Sequence, residues 1–149
     1  MAPACRPATT ADLATVLALL RDFYAEDGAT YDAEADAALA ALLAGPSLGR
    51  VVLIVDEAGL AVGYLVVAFG YSLEFRGKDA FVDELYVAPS HRGRGLGHEA
   101  LRAAERCCLE AGIRALHLEV RPDNAQARRL YASAGYKDRE YYLMSKKLR

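Results

Sequence analysis

Residues 81–97, FVDELYVAPSHRGRGLG, form the segment from which the rest of the fold follows. Residues 81–87 alternate aromatic, apolar and acidic side chains and are rich in residues that favour strands. Pro89 and Ser90 end that strand. A helical pattern begins near His98, so the segment predicts a strand, a loop and a helix in succession.

The loop between this strand and helix is rich in glycine and arginine. Glycine lets a backbone approach a ligand closely, and a helix N-terminus presents unpaired N–H groups with a partial positive charge. A phosphate or diphosphate suits such a site, and forked hydrogen bonds from arginine would strengthen it. A tight turn without a ligand needs only one or two glycines, so we favour the anion site. The loop residues are Arg92, Gly93, Arg94, Gly95, Leu96 and Gly97.

The two best-known phosphate-binding patterns do not fit this loop. A dinucleotide fingerprint requires a third glycine three positions after the second, where this chain has His98. A P-loop requires Gly-Lys followed by Ser or Thr, which this loop lacks. These mismatches argue against a nucleotide-binding regulator of another fold.

Length and composition predict one globular domain over residues 1–149. The chain has 149 residues, of which 54% are hydrophobic and 26% are charged. Its net charge of -2 argues against non-specific binding of nucleic acid. The apolar runs are too short to span a bilayer, and the N-terminus lacks the layout of a signal peptide. We therefore expect a cytoplasmic protein that does not bind a membrane.

Cysteines and histidines predict neither a disulfide framework nor a metal site. There are three cysteines, and Cys107 and Cys108 are adjacent, which suits small helix residues. No base is placed to activate them, so we do not expect a nucleophile. The three histidines are not spaced as ligands on one surface, so no metal is expected. They are His91, His98 and His117.

Hydrophobic periodicity and turn residues predict the other elements, and Gly63 inside a strand indicates a bulge or a close approach. Together they predict an α/β fold, with a mixed central sheet of six to seven strands flanked by about four helices. The strands are expected at 6–8, 50–55, 60–69, 81–87 and 115–120, with one or two more within 136–148; a polar link is expected at 71–78. The helices are expected at 10–28, 32–44, from about 98 to 112, and at 124–134.

Two blocks of this sequence resemble the Gcn5-related N-acetyltransferase (GNAT) superfamily. Residues 92–97 match its Arg/Gln-x-x-Gly-x-Gly loop and follow an Asp-Glu-Leu-Tyr-Val strand. Residues 124–136 are similar to its N-x-x-A-x-x-L-Y-x-x-x-G-F/Y signature. The likeness in element order covers essentially the whole chain. It implies a central strand pair that splays apart near a bulge.

The resemblance implies acetyl-CoA as co-substrate, with no metal. The diphosphate would lie on the amides of residues 92–97. The pantetheine arm would run beside the central strand like an added strand, bonded to the backbone of Leu85 and Val87. A backbone N–H in the gap would face the thioester oxygen. Further residues expected to bind the cofactor are Tyr86, Asn124, Ala127, Arg128 and Tyr131.

The resemblance also implies the catalytic residues. Tyr131 would protonate the leaving thiolate, because the pKa of a phenol, about 10, and that of a thiol, about 8.5, are nearly matched. Glu84 stands where many relatives carry an acidic residue that acts as base, often through water. Adjacent Asp83 is the fallback, since neighbours on a strand point to opposite faces.

Each role has a structural alternative. Tyr131 would otherwise be a packed tyrosine with a satisfied hydroxyl. Glu84 would otherwise belong to an ordinary ion pair. Asn124 is well suited to cap a helix, and this does not conflict with a contact to pantetheine.

Acidic and aromatic residues in the segments that build the acceptor side of this fold suit a cationic amine. We therefore expect a polyamine, a small aminated metabolite or a lysine side chain as acceptor. A solvated acidic loop is the alternative. The candidate substrate-binding residues are Tyr24, Asp27, Tyr31, Ser72 and Glu74.

Two other functions stay open. The first is a catalytically silent sensor that binds acyl-CoA, although the presence of both Tyr131 and Glu84 argues against it. The second is an acetyltransferase that acts on proteins or peptides. A homodimer through an apolar edge strand at residues 141–144 is a further expectation. The alternative is a monomer in which that strand joins the sheet.

Overall fold

The computed structural model describes residues 4–149, and residues 1–3 of the N-terminal segment lie outside the described part. It shows an α/β architecture with helices on both faces of a mixed sheet. The strands are β1 (Ala4–Pro7), β2 (Gly49–Val55), β3 (Ala61–Ser72), β4 (Gly77–Val87) and β5 (Ala115–Leu118). The helices are α1 (Leu13–Asp27), α2 (Ala33–Ala44), α3 (Leu96–Glu110) and α4 (Ala125–Ser133).

The sheet has the order β1-β2-β3-β4-β5. Strands β1 to β4 pair antiparallel, whereas β5 is parallel to β4. A parallel pair needs a crossover connection, and α3 supplies it here. The element order predicted from sequence is therefore confirmed as far as β5 and α4.

The predicted count of six to seven strands is wrong, because the described residues form five. No helix or strand follows Ser133 within the described chain. Glu140 has a φ of 59°, a left-handed conformation that a regular strand does not contain. Tyr142 and Met144 are 95% and 91% exposed. A run of apolar residues alone does not create a strand, because a strand also needs a ladder partner.

The hairpin of β3 and β4 is longer than predicted. Residues 71–78 are not a polar link, since β3 runs to Ser72 and pairs with Gly77 at the start of β4. Polar side chains do not prevent this pairing, because backbone groups make the ladder and side chains point to the two faces. Several element boundaries also differ from prediction, among them β1, which covers Ala4–Pro7 rather than 6–8. Helix α3 starts at Leu96 rather than near His98, and β5 stops at Leu118.

The core has a layer on each face of the sheet. Helices α1 and α2 cover one face, where Tyr64 and Val66 of β3 are buried. Helix α3 contacts β1 to β4. The buried side chains of α3 are Leu96, Ala100, Leu101, Ala103, Ala104, Cys107 and Cys108. Among residues 4–149, no helix is both long enough and apolar enough to cross a membrane.

The chain divides into two compact units, Met1–Glu119 and Val120–Arg149. The first contains the sheet and α1 to α3, and the second contains α4. The organisation of residues 1–149 as a single domain stays a prediction.

Gly63 of β3 lies close against the backbone of β4. A Cβ atom added at Gly63 would lie 2.3 Å from the carbonyl oxygen of Tyr86. This confirms that a strand glycine at this position marks a close backbone approach.

We predict that Gly63→Ala lowers the free energy of unfolding by about 3 kcal/mol, because the backbone of β4 must move to accept the methyl group. Gly28→Ala is the matched control. Gly28 has a φ of 71° and no atom within 4 Å of an added Cβ, so its cost of about 1 kcal/mol comes from the left-handed backbone alone. Urea unfolding measures both. Equal losses would contradict the predicted clash.

Candidate functional site

Strand β4 contains one residue more than β3 in the middle of their ladder. Val66 lies opposite Glu84, whereas the next residue of β3, Val67, lies opposite Val82. Asp83 is therefore an extra residue without a partner on β3, which is the definition of a β-bulge.

The pairing of β4 with β5 ends at the same point. The last pair of that ladder is Val82 with Leu118. Strand β4 continues to Val87, so its last five residues, Asp83 to Val87, extend past the end of the ladder with β5.

Along residues 83–87 of β4, the N–H and C=O groups of successive residues point alternately towards β3 and towards the side of β4 away from β3. The carbonyl of Tyr86 points towards Gly63 of β3, and the N–H of Ala88 donates to a carbonyl of β3. In an antiparallel ladder, both backbone groups of alternate residues point to the same side. Leu85 and Val87 therefore direct their N–H and C=O groups away from β3.

Arg92 connects the glycine loop to β4 and α1. Its guanidinium donates to the carbonyl oxygen of Val87 at 2.8 Å and pairs with the carboxylate of Glu26 at 2.7 Å. Its Cζ atom lies 5.9 Å from the centroid of the Tyr86 ring. These contacts hold the guanidinium against β4 and α1. That the Arg92 side chain binds an anion stays a prediction.

The loop itself has the backbone conformation of a tight turn into a helix. Gly93 and Gly95 have φ angles of 76° and 80°, which side chains disfavour, and Gly95 is the N-cap of α3. Arg94 donates from its guanidinium to the carbonyl oxygen of Ser90 at 3.1 Å. Leu96 is buried in the core. Helix α3 begins at this loop, and the first N–H groups of a helix have no acceptor within it, which is the arrangement of anion sites at helix N-termini.

Glu84 lies directly after the bulge and is held by two tyrosine hydroxyls. Tyr24 donates to Oε2 at 2.8 Å and Tyr64 donates to Oε1 at 2.9 Å. Burial raises the pKa of the Glu84 carboxyl above its ordinary range, while these two hydrogen bonds oppose the increase. Asp83, in contrast, is exposed.

Both tyrosines stay protonated near neutral pH. Burial, with the adjacent Glu84 carboxylate, raises the pKa of Tyr24 to about 12. The same two causes raise the pKa of Tyr64. Glu84 is therefore not in an ordinary ion pair. It is a carboxyl group whose neighbours are neutral donors.

The bulge also determines which residues share a face with Glu84. Phe81 lies opposite Ala68, and Glu84 lies opposite Val66, two residues away on β3. Because residues two apart on a strand point to the same face, Phe81 and Glu84 lie on one face although they are three residues apart.

A histidine and an acidic residue lie next to Phe81. His117 Nε2 is 3.2 Å from Oδ2 of Asp79, which is only 8% exposed. The ring of His117 lies 4.9 Å from the ring of Phe81 and 5.2 Å from that of Phe75. Nothing in the sequence pattern indicated this cluster, because the contact depends on the parallel register of β4 and β5.

Three of the predicted acceptor residues lie near Glu84. Tyr31 packs edge-on against Tyr24, with ring centroids 6.2 Å apart, and Asp27 contributes negative charge that raises the pKa of Glu84. The guanidinium of Arg21 already contacts the side chain of Tyr31. Its Nε donates to the Tyr31 hydroxyl at 3.1 Å and its Cζ lies 5.4 Å from the ring centroid. The chain itself therefore supplies a cation for this ring.

The two other predicted acceptor residues lie elsewhere. Ser72 ends β3 and accepts a hydrogen bond at its Oγ from the N–H of Phe75, and Glu74 is in the same turn. A strand rises about 3.3 Å per residue, so Ser72 is about 20 Å from Glu84 along the hairpin. The structure does not bring Ser72 and Glu74 together with Tyr24.

Residues of the second signature form a capped helix. Asn124 accepts the N–H of Ala127 at its Oδ1 at 3.0 Å, which confirms that it caps α4. Arg128 donates to the carbonyl oxygen of Pro122 at 3.3 Å. The cap uses the oxygen of the Asn124 amide and not its nitrogen.

Tyr131 lies on α4 with its ring edge-on to that of Tyr136, at a centroid distance of 6.1 Å. Burial raises the pKa of the Tyr131 phenol. A raised pKa keeps the phenol protonated at neutral pH, which a proton donor requires.

The cysteines have the properties of core residues. Cys107 and Cys108 are free and buried. Burial raises the pKa of the Cys108 thiol to about 11, so its thiolate is scarce at neutral pH. Within residues 4–149 no cluster of His, Cys, Asp or Glu side chains forms a metal site.

Three features make this an α/β protein with a site at a strand-to-helix turn. They are the mixed sheet, the glycine loop before α3 and the parallel β4-α3-β5 unit. Comparison with known proteins then identifies the family. The profile of the Acetyltransferase (GNAT) family matches residues 13–136, and the chain belongs to this family.

Similar curated proteins are N-acetyltransferases by name. An uncharacterized N-acetyltransferase of Bacillus subtilis, YhfO, is 30% identical over 136 residues, which cover 89% of each chain. A thialysine N-epsilon-acetyltransferase of Bos taurus is 32% identical over 77 residues, covering 52% of this chain and 45% of that protein. This chain thus matches under half the length of the bovine relative.

Solved structures show the same fold. An integron cassette protein from the mobile metagenome of Cole Harbour Salt Marsh superposes with a TM-score of 0.87 and 34% identity, over 97% of this chain and 90% of the other. The aminoglycoside acetyltransferase AAC(6')-Iy, in complex with a bisubstrate analogue containing CoA, has a TM-score of 0.84 over the full length of both chains. At 17% identity, that second likeness concerns the fold alone.

Proposed function

We propose that this chain transfers the acetyl group of acetyl-CoA to a primary amine. The observation that carries the proposal is the half-buried Glu84 carboxyl with a raised pKa, placed where the β4–β5 ladder ends. The bovine relative that is named for acetylating thialysine has an amine acceptor, which supports an amine here.

Two features of the chain support a site for CoA. The glycine loop presents the N-terminal N–H groups of α3, which suit the diphosphate. The N–H and C=O groups of Leu85 and the N–H of Val87 point away from β3, so an extended amide chain would bond to them and add to β4 like a strand. The carbonyl of Val87 already accepts a hydrogen bond from Arg92. Acetyl-CoA supplies the activated acyl group, and an outward N–H of β4 would stabilise negative charge on the thioester oxygen.

In the proposed reaction, the amine nitrogen attacks the thioester carbonyl, a C–N bond forms and the C–S bond breaks. An amine with a pKa near 10 is almost fully protonated at pH 7, so it must first lose a proton. Glu84 accepts that proton, directly or through water, because its raised pKa makes it a stronger base than an exposed glutamate. As the C–S bond breaks, Tyr131 donates a proton to the thiolate sulfur. The second proton of the attacking nitrogen leaves through water as the amide forms and restores the phenol of Tyr131.

A cationic acceptor fits the charges around Glu84. The neighbouring carboxylates Asp83 and Asp27 both raise the pKa of Glu84, which indicates negative potential at this place. A second ammonium group on the acceptor would therefore be attracted. Polyamines, small aminated metabolites and lysine side chains share this chemistry, and a lysine would make the acceptor a protein or peptide.

A silent acyl-CoA sensor is the competing function. It would bind CoA by the same loop and strand edge but would release no free thiol with any amine. Dimer formation and a cytoplasmic location stay predictions.

We predict that Glu84→Gln lowers kcat/KM for amines by about 100-fold or more, because the base is lost while the hydrogen bonds to the tyrosines remain possible. Asp83→Asn is the matched control, since it neutralises the adjacent exposed carboxylate. It should change kcat/KM by less than about fivefold. Release of free CoA, followed with a thiol reagent, measures both. The reverse order would make Asp83 the base.

We predict that Tyr131→Phe lowers kcat by about 100-fold and leaves the affinity for acetyl-CoA within about threefold, because only the proton donor is removed. Tyr136→Phe, at the ring that packs against Tyr131, controls for loss of a phenol in the same cluster and should retain the activity. Steady-state kinetics and calorimetric titration with CoA separate the two effects. If Tyr131→Phe kept as much activity as Tyr136→Phe, Tyr131 would be excluded as the acid.

We predict that 1,4-diaminobutane is acetylated with about tenfold higher kcat/KM than butylamine, which has the same length and one charge less. The difference should shrink in about 0.5 M salt, because salt screens exposed charges. Acetylation of neutral amino-acid amides but never of diamines or polyamines would contradict the cationic acceptor. Binding of CoA without thiol release for any amine in the panel would favour the sensor.

A further inference from the structure

We propose that Tyr24 and Tyr64 are positioning residues that hold the Glu84 carboxylate by one hydrogen bond to each oxygen, so that it works as a correctly aimed base. The proposal rests on the proposed function, in which Glu84 is the base. It also changes the role of Tyr24, which the sequence placed among residues that touch the acceptor.

The two hydroxyls approach the carboxyl from different elements. Tyr24 comes from α1 and bonds Oε2, whereas Tyr64 comes from β3 and bonds Oε1. A carboxyl group held at both oxygens cannot rotate freely about its last bond. Each oxygen keeps a second lone pair, so one remains for the proton of the acceptor.

Tyr64 cannot serve the acceptor directly. Its side chain is 0% exposed, and a buried hydroxyl needs a hydrogen-bond partner, which Glu84 provides. Its position on the neighbouring strand, opposite Tyr86, is set by the ladder of β3 with β4. The buried tyrosine hydroxyl and the half-buried carboxyl therefore satisfy each other.

Neutral donors suit a base better than cationic donors. An Arg or Lys beside a carboxylate lowers its pKa strongly and makes it a weak base, whereas a phenol stabilises the charge less. The titratable groups acting on Glu84 are Tyr24 and Asp27 from the α1 side, Tyr64 from β3 and Asp83 beside it on β4. The two hydroxyls are the only groups among these that favour the charged form.

Aromatic packing holds the two phenols in place. The ring of Phe23 lies 5.9 Å from that of Tyr24 and 6.4 Å from that of Tyr64, edge-on to both. The ring of Tyr31 also packs edge-on against that of Tyr24, at a centroid distance of 6.2 Å. This ring packing helps to position the hydroxyls. Replacing either tyrosine by phenylalanine removes its hydroxyl and keeps the ring packing.

The experiment is a pH profile of kcat/KM for the unmodified chain, Tyr24→Phe and Tyr64→Phe. Losing a donor to the charged form raises the pKa of Glu84, so the acid limb moves to higher pH. We expect each variant to lose about tenfold in kcat/KM on the acid limb, the effect of one hydrogen bond to a charged group, and much less on the plateau. The shift should be larger for Tyr64→Phe, because water can replace the hydroxyl of the half-buried Tyr24.

Phe23→Leu is the control, since it disturbs the packing of both phenols and removes neither hydroxyl. It should lower stability and move the acid limb less than either tyrosine variant does, because both hydroxyls still donate to Glu84. A limb that moves as far in Phe23→Leu as in the tyrosine variants would overturn the proposal. So would a Tyr24→Phe variant with an unmoved limb and a raised KM on the plateau, because Tyr24 would then be an acceptor contact.

A second measurement separates this proposal from the acetyltransferase reaction. The carboxyl resonance of Glu84, assigned in ¹³C-glutamate-labelled protein by its loss in Glu84→Gln, is titrated without substrate. We expect its titration midpoint to move to higher pH in both tyrosine variants, even if the chain acetylates no amine tested. An unchanged midpoint in both variants would refute the proposal whatever the activity.

Discussion

The extra residue in β4 is the constraint on which the described site depends. Because Asp83 has no partner on β3, the side chains that follow it are displaced by one position relative to the regular alternation. Glu84 thereby joins the buried face with the tyrosines, and the ladder to β5 ends beside the bulge. A regular strand would pair further along its length and would turn Glu84 to the other face.

Glu84 is subject to two opposing effects of similar origin. Burial disfavours its charge, while two neutral hydroxyls stabilise it, and the balance leaves a carboxyl with a raised pKa. The first effect comes from the aromatic layer between α1 and the sheet, and the second from the hydroxyls of that same layer. The packing that builds the core on this face therefore also tunes the carboxyl.

The glycine loop shows a limit of reading charge from sequence. Arg92 and Arg94 appear beside the glycines in the pattern, but Arg92 is engaged by Glu26 and by a carbonyl of β4, and Arg94 by the carbonyl of Ser90. A sequence shows that an arginine is near a loop. It does not show whether the guanidinium faces a ligand or the protein. The backbone amides carry no such ambiguity, because the helix start itself orients them.

The sequence by itself determined the local features. The strand, glycine turn and helix, the cap at Asn124 and the family all depend on residues close together in the chain. The tertiary structure alone decided that Tyr24 and Tyr64 meet Glu84, from 60 and 20 residues away, and that His117 meets Asp79. The reason is physical. Propensity, capping and turn chemistry act over a few residues, whereas contacts between elements depend on strand register, and one extra residue in β4 changes that register for every residue after it.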